Sequence, residues 1–173
     1  MNSINMRHVI ITGGSRGIGF GLMREFLRLN YRVTFTGTTD ATVNSAAEKL
    51  GEEFNTGNFR GMVCDVTIID DLRTLWEFST SIFGPVDIFI NNAGLSNRTM
   101  SFNQLETDEF IRVVDVNIKG VMQATHLAFN RMSEQGHGAI YNMGGGSDGR
   151  MIKGPGSRDV KEGSPVSQRP LPV

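Results

Sequence analysis

The residues best suited to chemistry in this chain begin at Gly13-x-x-x-Gly17-x-Gly19, directly after Val9-Ile10-Ile11. Three β-branched residues predict a buried strand. The apolar residues Ile18, Leu22, Met23, Phe26 and Leu27 that follow stand at helical spacing. A strand running through glycines into a helix is a phosphate site, because the first helical amides lack intrahelical partners and the helix dipole favours an anion there. Glycine removes the Cβ that would keep a pyrophosphate at a distance, and it allows φ > 0 in the turn. The spacing differs from the general G-x-G-x-x-G fingerprint, and a tight strand-to-helix connection without a ligand is the alternative.

Composition narrows the classes. The 173 residues carry a net charge of −1, with 39% hydrophobic and 20% charged residues, the balance of one soluble globular domain with a real core. Nothing in that charge suggests a nucleic-acid or anionic-membrane surface. Cys64 is the only cysteine, so neither a disulfide framework nor a cysteine metal cluster is possible, and a reducing compartment is expected. No apolar run approaches the ~20 residues of a membrane span. Residues 1–7 are too short for a targeting leader. The expected location is cytoplasmic, or plastid where a transit segment precedes the residues given.

The elements that must position the glycines follow in order. A helix is expected over 17–30, a strand over 31–36, a helix over 38–50 and a strand over 59–64. A helix over 70–83 carries Leu72, Leu75, Trp76 and Ser79 on one face and is broken by Gly84-Pro85. A strand over 86–90 enters Asn91-Asn92-Ala93-Gly94, and residues 95–104 read as a loop. A long helix begins at Thr107 with the stripe Phe110, Val114, Val121, Thr125, Ala128 and Met132, and Gly136 ends it. A fifth strand spans 139–143. Strands alternating with helices predict a three-layer α/β fold with a doubly wound parallel sheet. Residues 1–153 form this domain. The tail 154–173 holds four of the five prolines and no aromatic residue, which predicts a disordered or aberrant segment.

Thr12-Gly13-Gly14-Ser15-Arg16-Gly17-Ile18-Gly19, Asp65, Asn91-Asn92-Ala93-Gly94 and Asn117 stand in the order and spacing of the short-chain dehydrogenase/reductase family. The resemblance covers about residues 7–150. Tyr141-Asn142-Met143 followed by Gly146-Ser147-Asp148-Gly149-Arg150 most resembles the chlorophyll b reductase branch. The resemblance implies a Rossmann-type sheet, incomplete at its C-terminus, and hydride transfer to a carbonyl or formyl group of a small molecule.

It also implies roles. Thr12, Gly13, Ser15, Arg16, Gly17, Ile18 and Gly19 would hold a dinucleotide, with Thr36, Thr38, Asp65, Val66, Asn92, Ala93 and Gly94 completing its site. The end of the second strand has no acidic residue to bind a ribose 2′-OH or repel a 2′-phosphate. With Arg16 and the hydroxyls of Thr36, Thr38 and Thr39, that favours NADP (as NADPH) over NAD; the alternative for Arg16 is a solvated surface charge. Asp65 would accept from the adenine amino group, or cap a helix with Thr67 and Asp70 nearby. Residues 91–94 would fix neighbouring loops and pass the ribose, or form an ordinary Asx turn. Asn117, on the stripe between Val114 and Val121, is a hydrogen-bonded core amide or, as the resemblance implies, a relay residue whose carbonyl holds a water. Ser147 is the candidate substrate-orienting serine, since Gly144 and Gly145 occupy the places where many members have serines. Cys64, His126 and His137 read as incidental.

The family's proton donor is a Tyr with a Lys four residues on. Here Tyr31 and Tyr141 are the only tyrosines, and those places hold Phe35 and Gly145. One permitted set of codons for residues 158–164 reads, shifted by one base, as Gly-Thr-Ser-Lys-Arg-Ala, a run of the kind that follows the catalytic Tyr. The expectation is a C-terminally truncated or frame-shifted reductase of impaired activity; the alternative is a non-catalytic NADP-binding or interaction protein. Relatives associate through the long helix and one absent here, which leaves oligomerisation open.

Overall fold

Val9, Ile10 and Ile11 are fully buried, as their β-branched run requires, and they form the central strand. The computed structural model describes residues 6–96 and 106–144. Ser147, the tail 154–173 and most of the 95–104 loop lie outside the described residues.

Strands β1 (His8–Ile11), β2 (Arg32–Gly37), β3 (Phe59–Val63), β4 (Ile88–Asn91) and β5 (Ala139–Asn142) make one parallel sheet in the order β3-β2-β1-β4-β5. Helices α1 (Gly17–Arg28) and α2 (Asp40–Gly51) cover one face, and α3 (Ile69–Phe83) and α5 (Val121–Gln135) the other. Alternation along β1 serves both layers. Val9 and Ile11 enter the core with Met23, Leu27, Val43 and Leu50. Ile10 enters the other with Leu75, Trp76, Ala124 and Ala128. Parallel strands buried on both faces need such continuous apolar runs. The chain builds outward from β1 to β3, then crosses to β4 on the other side of β1. That reversal opens a crevice at the carboxyl ends of β1 and β4, where ligands bind in open α/β sheets.

Most expected elements stand within two residues of their observed bounds, and the departures have local causes. Asn30, at φ 60°, ends α1, and Tyr31 N–H closes that turn on Phe26 O instead of joining β2. Thr39 N-caps α2, accepting from Thr42 N–H at 3.3 Å, so the helix starts after Thr38. Val86 is buried, but its backbone pairs with the Gln135 side chain rather than with a strand.

The long helix departs most. Between α4 (Thr107–Val114) and α5, residues Asp115–Gly120 form a π-helical segment. A wider turn rotates the stripe. Phe110 and Val114 are exposed, and the buried line is Gly120, Ala124, Ala128 and Met132. Gly120 is required there because a Cβ would sit 2.8 Å from Val66 Cγ2. Ile18 also leaves its expected apolar face: it is 69% exposed, because the core side of α1 begins at Gly19.

Candidate functional site

The turn after β1 is held from three sides. Gly13 has φ +64°, and a Cβ there would meet Ala93 Cα at 2.8 Å. Gly13 N–H donates to Thr36 Oγ1 at 3.0 Å, and Gly14 N–H to Thr36 O at 2.8 Å. Asn92 Nδ2 donates to both Thr12 O and Gly13 O at 2.9 Å. Gly19 allows this approach, since its Cβ would lie 2.3 Å from Gly13 O and 2.5 Å from Asn92 Nδ2. Gly17 has φ +58° and open space around it, so its requirement is conformational alone. The glycine pattern therefore shapes the turn as well as clearing room above it.

Thr12 works underneath. It is 1% exposed, and its hydroxyl is taken up by backbone groups of β4 and the segment after it. Its hydroxyl donates to Ile90 O at 3.3 Å and accepts from the N–H groups of Asn92 and Ala93, each at 3.0 Å. It joins the two strand ends that flank the crevice. Asn91 faces the other way, with Nδ2 donating to Thr125 Oγ1 at 3.0 Å and Asn142 Oδ1 at 2.7 Å.

Above this framework lies a cleft of about 660 Å³, within the range of cofactor sites. Gly13, Ser15, Arg16, Gly17, Ile18 and Gly19 line one side. Thr36, Thr38, Asp65, Val66, Asn92, Ala93 and Gly94 line the cleft as well. The N-terminus of α1 meets the cleft without a side-chain cap and without an acidic residue in its first turn. Uncapped amides, glycine clearance and the exposed Arg16 fit the pyrophosphate and phosphates of a dinucleotide.

Asp65 forms an Asx turn. Its Oδ1 accepts from Thr67 N–H at 2.9 Å and from Thr67 Oγ1 at 2.8 Å. The N-cap of α3 is Ile68, so the helix-cap alternative for Asp65 is not what the chain builds. Neighbouring Cys64 is buried, and burial, reinforced by Asp71 and Asp65, pushes its thiol up to about 12. It stays a neutral thiol at ordinary pH.

Asn117 lies in the π-helical segment. The π segment turns it outward, so it is exposed rather than a core amide, and it does not line the cleft. Both ends of its amide hold one residue: Leu95 N–H donates to Oδ1, and Nδ2 donates to Leu95 O, each at 2.8 Å. It fixes the loop after β4.

Sequence reasoning missed Leu95, Arg112, Asp115 and Val116 on the cleft wall. The i, i+4 relation of Arg112 and Val116 was legible; the π turn that aims them was not. It also passed over His8, fully buried in β1. Its Nδ1 lies 3.2 Å from Gly84 O and its Nε2 3.0 Å from Thr34 Oγ1. A carbonyl only accepts, so Nδ1 carries the proton and Nε2 accepts from Thr34. Burial lowers this imidazole to about 4.

Among the described residues no helix is long and apolar enough to cross a membrane. A family model described as short chain dehydrogenase matches residues 7–151. The chain is 38% identical over 148 residues to a chloroplastic chlorophyll(ide) b reductase NOL of Arabidopsis thaliana, covering 83% of this chain and 42% of that protein. It is 35% identical over 133 residues to a 3alpha-hydroxysteroid dehydrogenase of Mediterraneibacter gnavus, covering 77% and 53%. A crystal structure of a short chain dehydrogenase from Bacillus anthracis superposes with a TM-score of 0.73 at 30% identity, covering 81% of this chain and 57% of that one. The chain thus spans about half the length of the relatives it matches. With the parallel sheet and the glycine cleft, these matches establish that the chain belongs to the short-chain dehydrogenase/reductase family.

Proposed function

We propose that this chain is the NADP(H)-holding part of an oxidoreductase that reduces a carbonyl or formyl group. One observation carries the cofactor choice: β2 ends in Thr36-Gly37-Thr38, without a carboxylate, while the exposed Arg16 stands at the mouth of α1. A carboxylate at that strand end would hold a ribose diol and repel a 2′-phosphate; a guanidinium attracts the phosphate. The amides opening α1 would face the pyrophosphate, Asp65 and Val66 the adenine end, and Asn92 to Gly94 the inner ribose. When bound, the reduced nicotinamide supplies hydride. Asn117 acts as a positioning residue, fixing Leu95 and with it the inner wall.

The formyl group of a chlorophyll b is the most specific substrate proposed, supported by the identity to chlorophyll(ide) b reductases. The hydroxysteroid relative supports the broader carbonyl class. The reading places the chain in the cytoplasm, or in a plastid as for the relatives named chloroplastic.

A second reading rests on Tyr31 and Tyr141, the only tyrosines in the 173 residues. Tyr31 follows the end of α1, and Tyr141 lies in β5 with no Lys four residues on. Neither tyrosine offers the family's proton donor, and a cleft that holds a cofactor without one would behave as a non-catalytic NADP-binding or interaction protein.

Titration with NADPH and NADH, followed by NADPH oxidation against a carbonyl panel that includes chlorophyllide b, tests both readings. NADPH is expected to bind more tightly. Arg16→Ala should erase that preference, by about tenfold or more for one lost charge-assisted contact. Binding without turnover selects the second reading. Equal affinity for both cofactors overturns the NADP assignment, and no binding overturns both.

A further inference from the structure

Arg112 is the cation in the cleft wall that neither the sequence motifs nor the cofactor assignment uses. It lies in the last turn of α4, with Asp108, Glu109 and Asp115 four and three residues before it and three after it. Those are ion-pair spacings on a helix. Arg28, Arg73 and Arg131 each take a carboxylate three residues away. Arg112 does not: its guanidinium has no hydrogen bond or ion pair among the described residues, and it lines the cleft instead. Helix-dipole compensation does not account for it, because the backbone continues through the π segment into α5 and no free carbonyl end exists there.

Its place along the cleft follows from its neighbours. Val116, one turn on, packs against the cluster that contains Val66. Gly120 approaches Val66 so closely that a Cβ would stand 2.8 Å from its Cγ2, and Gln123 Nε2 donates to Thr67 O at 3.1 Å. The helix therefore runs along the segment after β3, and Arg112, a turn beyond Val116, overhangs the Asp65–Val66 end. Side chains on a helix lean toward its N-terminus, which carries the guanidinium outward over that end.

What the guanidinium meets there is decided by charge. Asp65 and Asp115 both line this part of the cleft. Two carboxylates beside one cation make a poor phosphate site, whereas the uncapped α1 terminus on the other side makes a good one. A flat, uncharged ring bearing an amino group suits the carboxylates at its edge and a guanidinium across its face. The geometry points to Arg112 as the residue that stacks on the adenine of the bound dinucleotide, a specificity-determining contact for the adenine half. This inference rests on the dinucleotide reading above.

The test is equilibrium binding of NADPH, NADH and reduced nicotinamide mononucleotide, which lacks adenine, to the full chain and to Arg112→Ala and Arg112→Lys. Arg112 is exposed, and alanine favours the helix, so both variants fold. Arg112→Ala should weaken NADPH and NADH alike, by about 3- to 30-fold. It should leave the mononucleotide unchanged. Arg112→Lys keeps the charge without the planar group and should recover less than half of the loss on a logarithmic scale. Full recovery by lysine, unchanged NADPH affinity in Arg112→Ala, or an equal loss for the mononucleotide each overturns the stacking role. Arg16→Ala is the control, expected to weaken NADPH alone. An unmodified chain that binds neither NADPH nor NADH overturns the dinucleotide reading itself; one that binds both while Arg112→Ala matches it overturns this inference only.

Discussion

Three glycines in α1, spaced by two, make opposite predictions when replaced by alanine. At Gly19 the new Cβ would lie 2.3 Å from Gly13 O and 2.5 Å from Asn92 Nδ2, where ordinary contacts begin at 3.4 Å. Something must move by about 1 Å. The atoms in the way are the carbonyl of the turn and the amide that holds it, so relief breaks the 2.9 Å bonds from Asn92 to Thr12 O and Gly13 O. Overpacking costs ~1–3 kcal/mol, and the two hydrogen bonds add ~1 kcal/mol each. The better helix propensity of alanine offsets about 1 kcal/mol, leaving a net loss of about 2–4 kcal/mol. Gly21→Ala meets nothing within 4 Å and lies inside the same helix, so it should stabilise by about 1 kcal/mol. Gly17→Ala has the space but not the backbone, at φ +58°, and should cost about 1 kcal/mol. Urea unfolding monitored through Trp76 gives all three. NADPH titration should show Gly19→Ala weakened about tenfold or more and Gly21→Ala unchanged. If Gly19→Ala proves as stable as Gly21→Ala, the account of the glycine turn as a packed, cross-braced unit is refuted.

Two further perturbations probe the framework. His8 is lowered to about 4 in the folded chain, against ~6.5 when unfolded. The unfolded state therefore binds the proton first, and its stabilising share is whole above ~6.5 and lost as pH falls toward 4, at most about 3 kcal/mol. His8→Phe should flatten that part of the stability-versus-pH curve; parallel curves for the two proteins would remove His8 as its source. Thr12→Val keeps the shape and removes the hydroxyl that serves Ile90 O and two amides. It should cost about 2–5 kcal/mol in urea unfolding, while Thr12→Ser stays near the parent; equal midpoints for the two variants would show that this hydroxyl does not brace the strand ends.

What the sequence made legible was the part governed by local pattern. The β-branched run of β1 must be buried, and glycines between a strand and a helix must turn there. The alternation of elements fixed a parallel sheet, and polar residues at strand ends had to gather at its carboxyl edge. What was illegible depended on contacts distant in the chain. Thr12 has the position of a ligand contact, yet its hydroxyl is taken by residues 78 to 81 positions away. A π turn carries no periodic signature of its own, so the stripe through Phe110 and Val114 and the burial of Asn117 were misplaced together. His8 reads as a polar strand start, and only the Gly84 carbonyl and the Thr34 hydroxyl make it a core residue.

The bracing has a consequence for how binding and chemistry divide. The hydrogen bonds that shape the cleft run from Thr12 to the segment after β4, from Thr36 to the glycine turn, from Asn92 back to that turn, and from Asn117 to Leu95. Each closes between two segments among the described residues. Among the described residues these bonds brace the cradle from within, and preorganised donors bind an anion without the cost of being ordered first. On the function proposed above, a proton donor and a substrate wall would act on a cofactor already held by this cradle. On that same proposal, affinity for a dinucleotide and turnover of a carbonyl would therefore be separable. Substitutions at Gly19 and Arg16 should move the first, whatever groups supply the second.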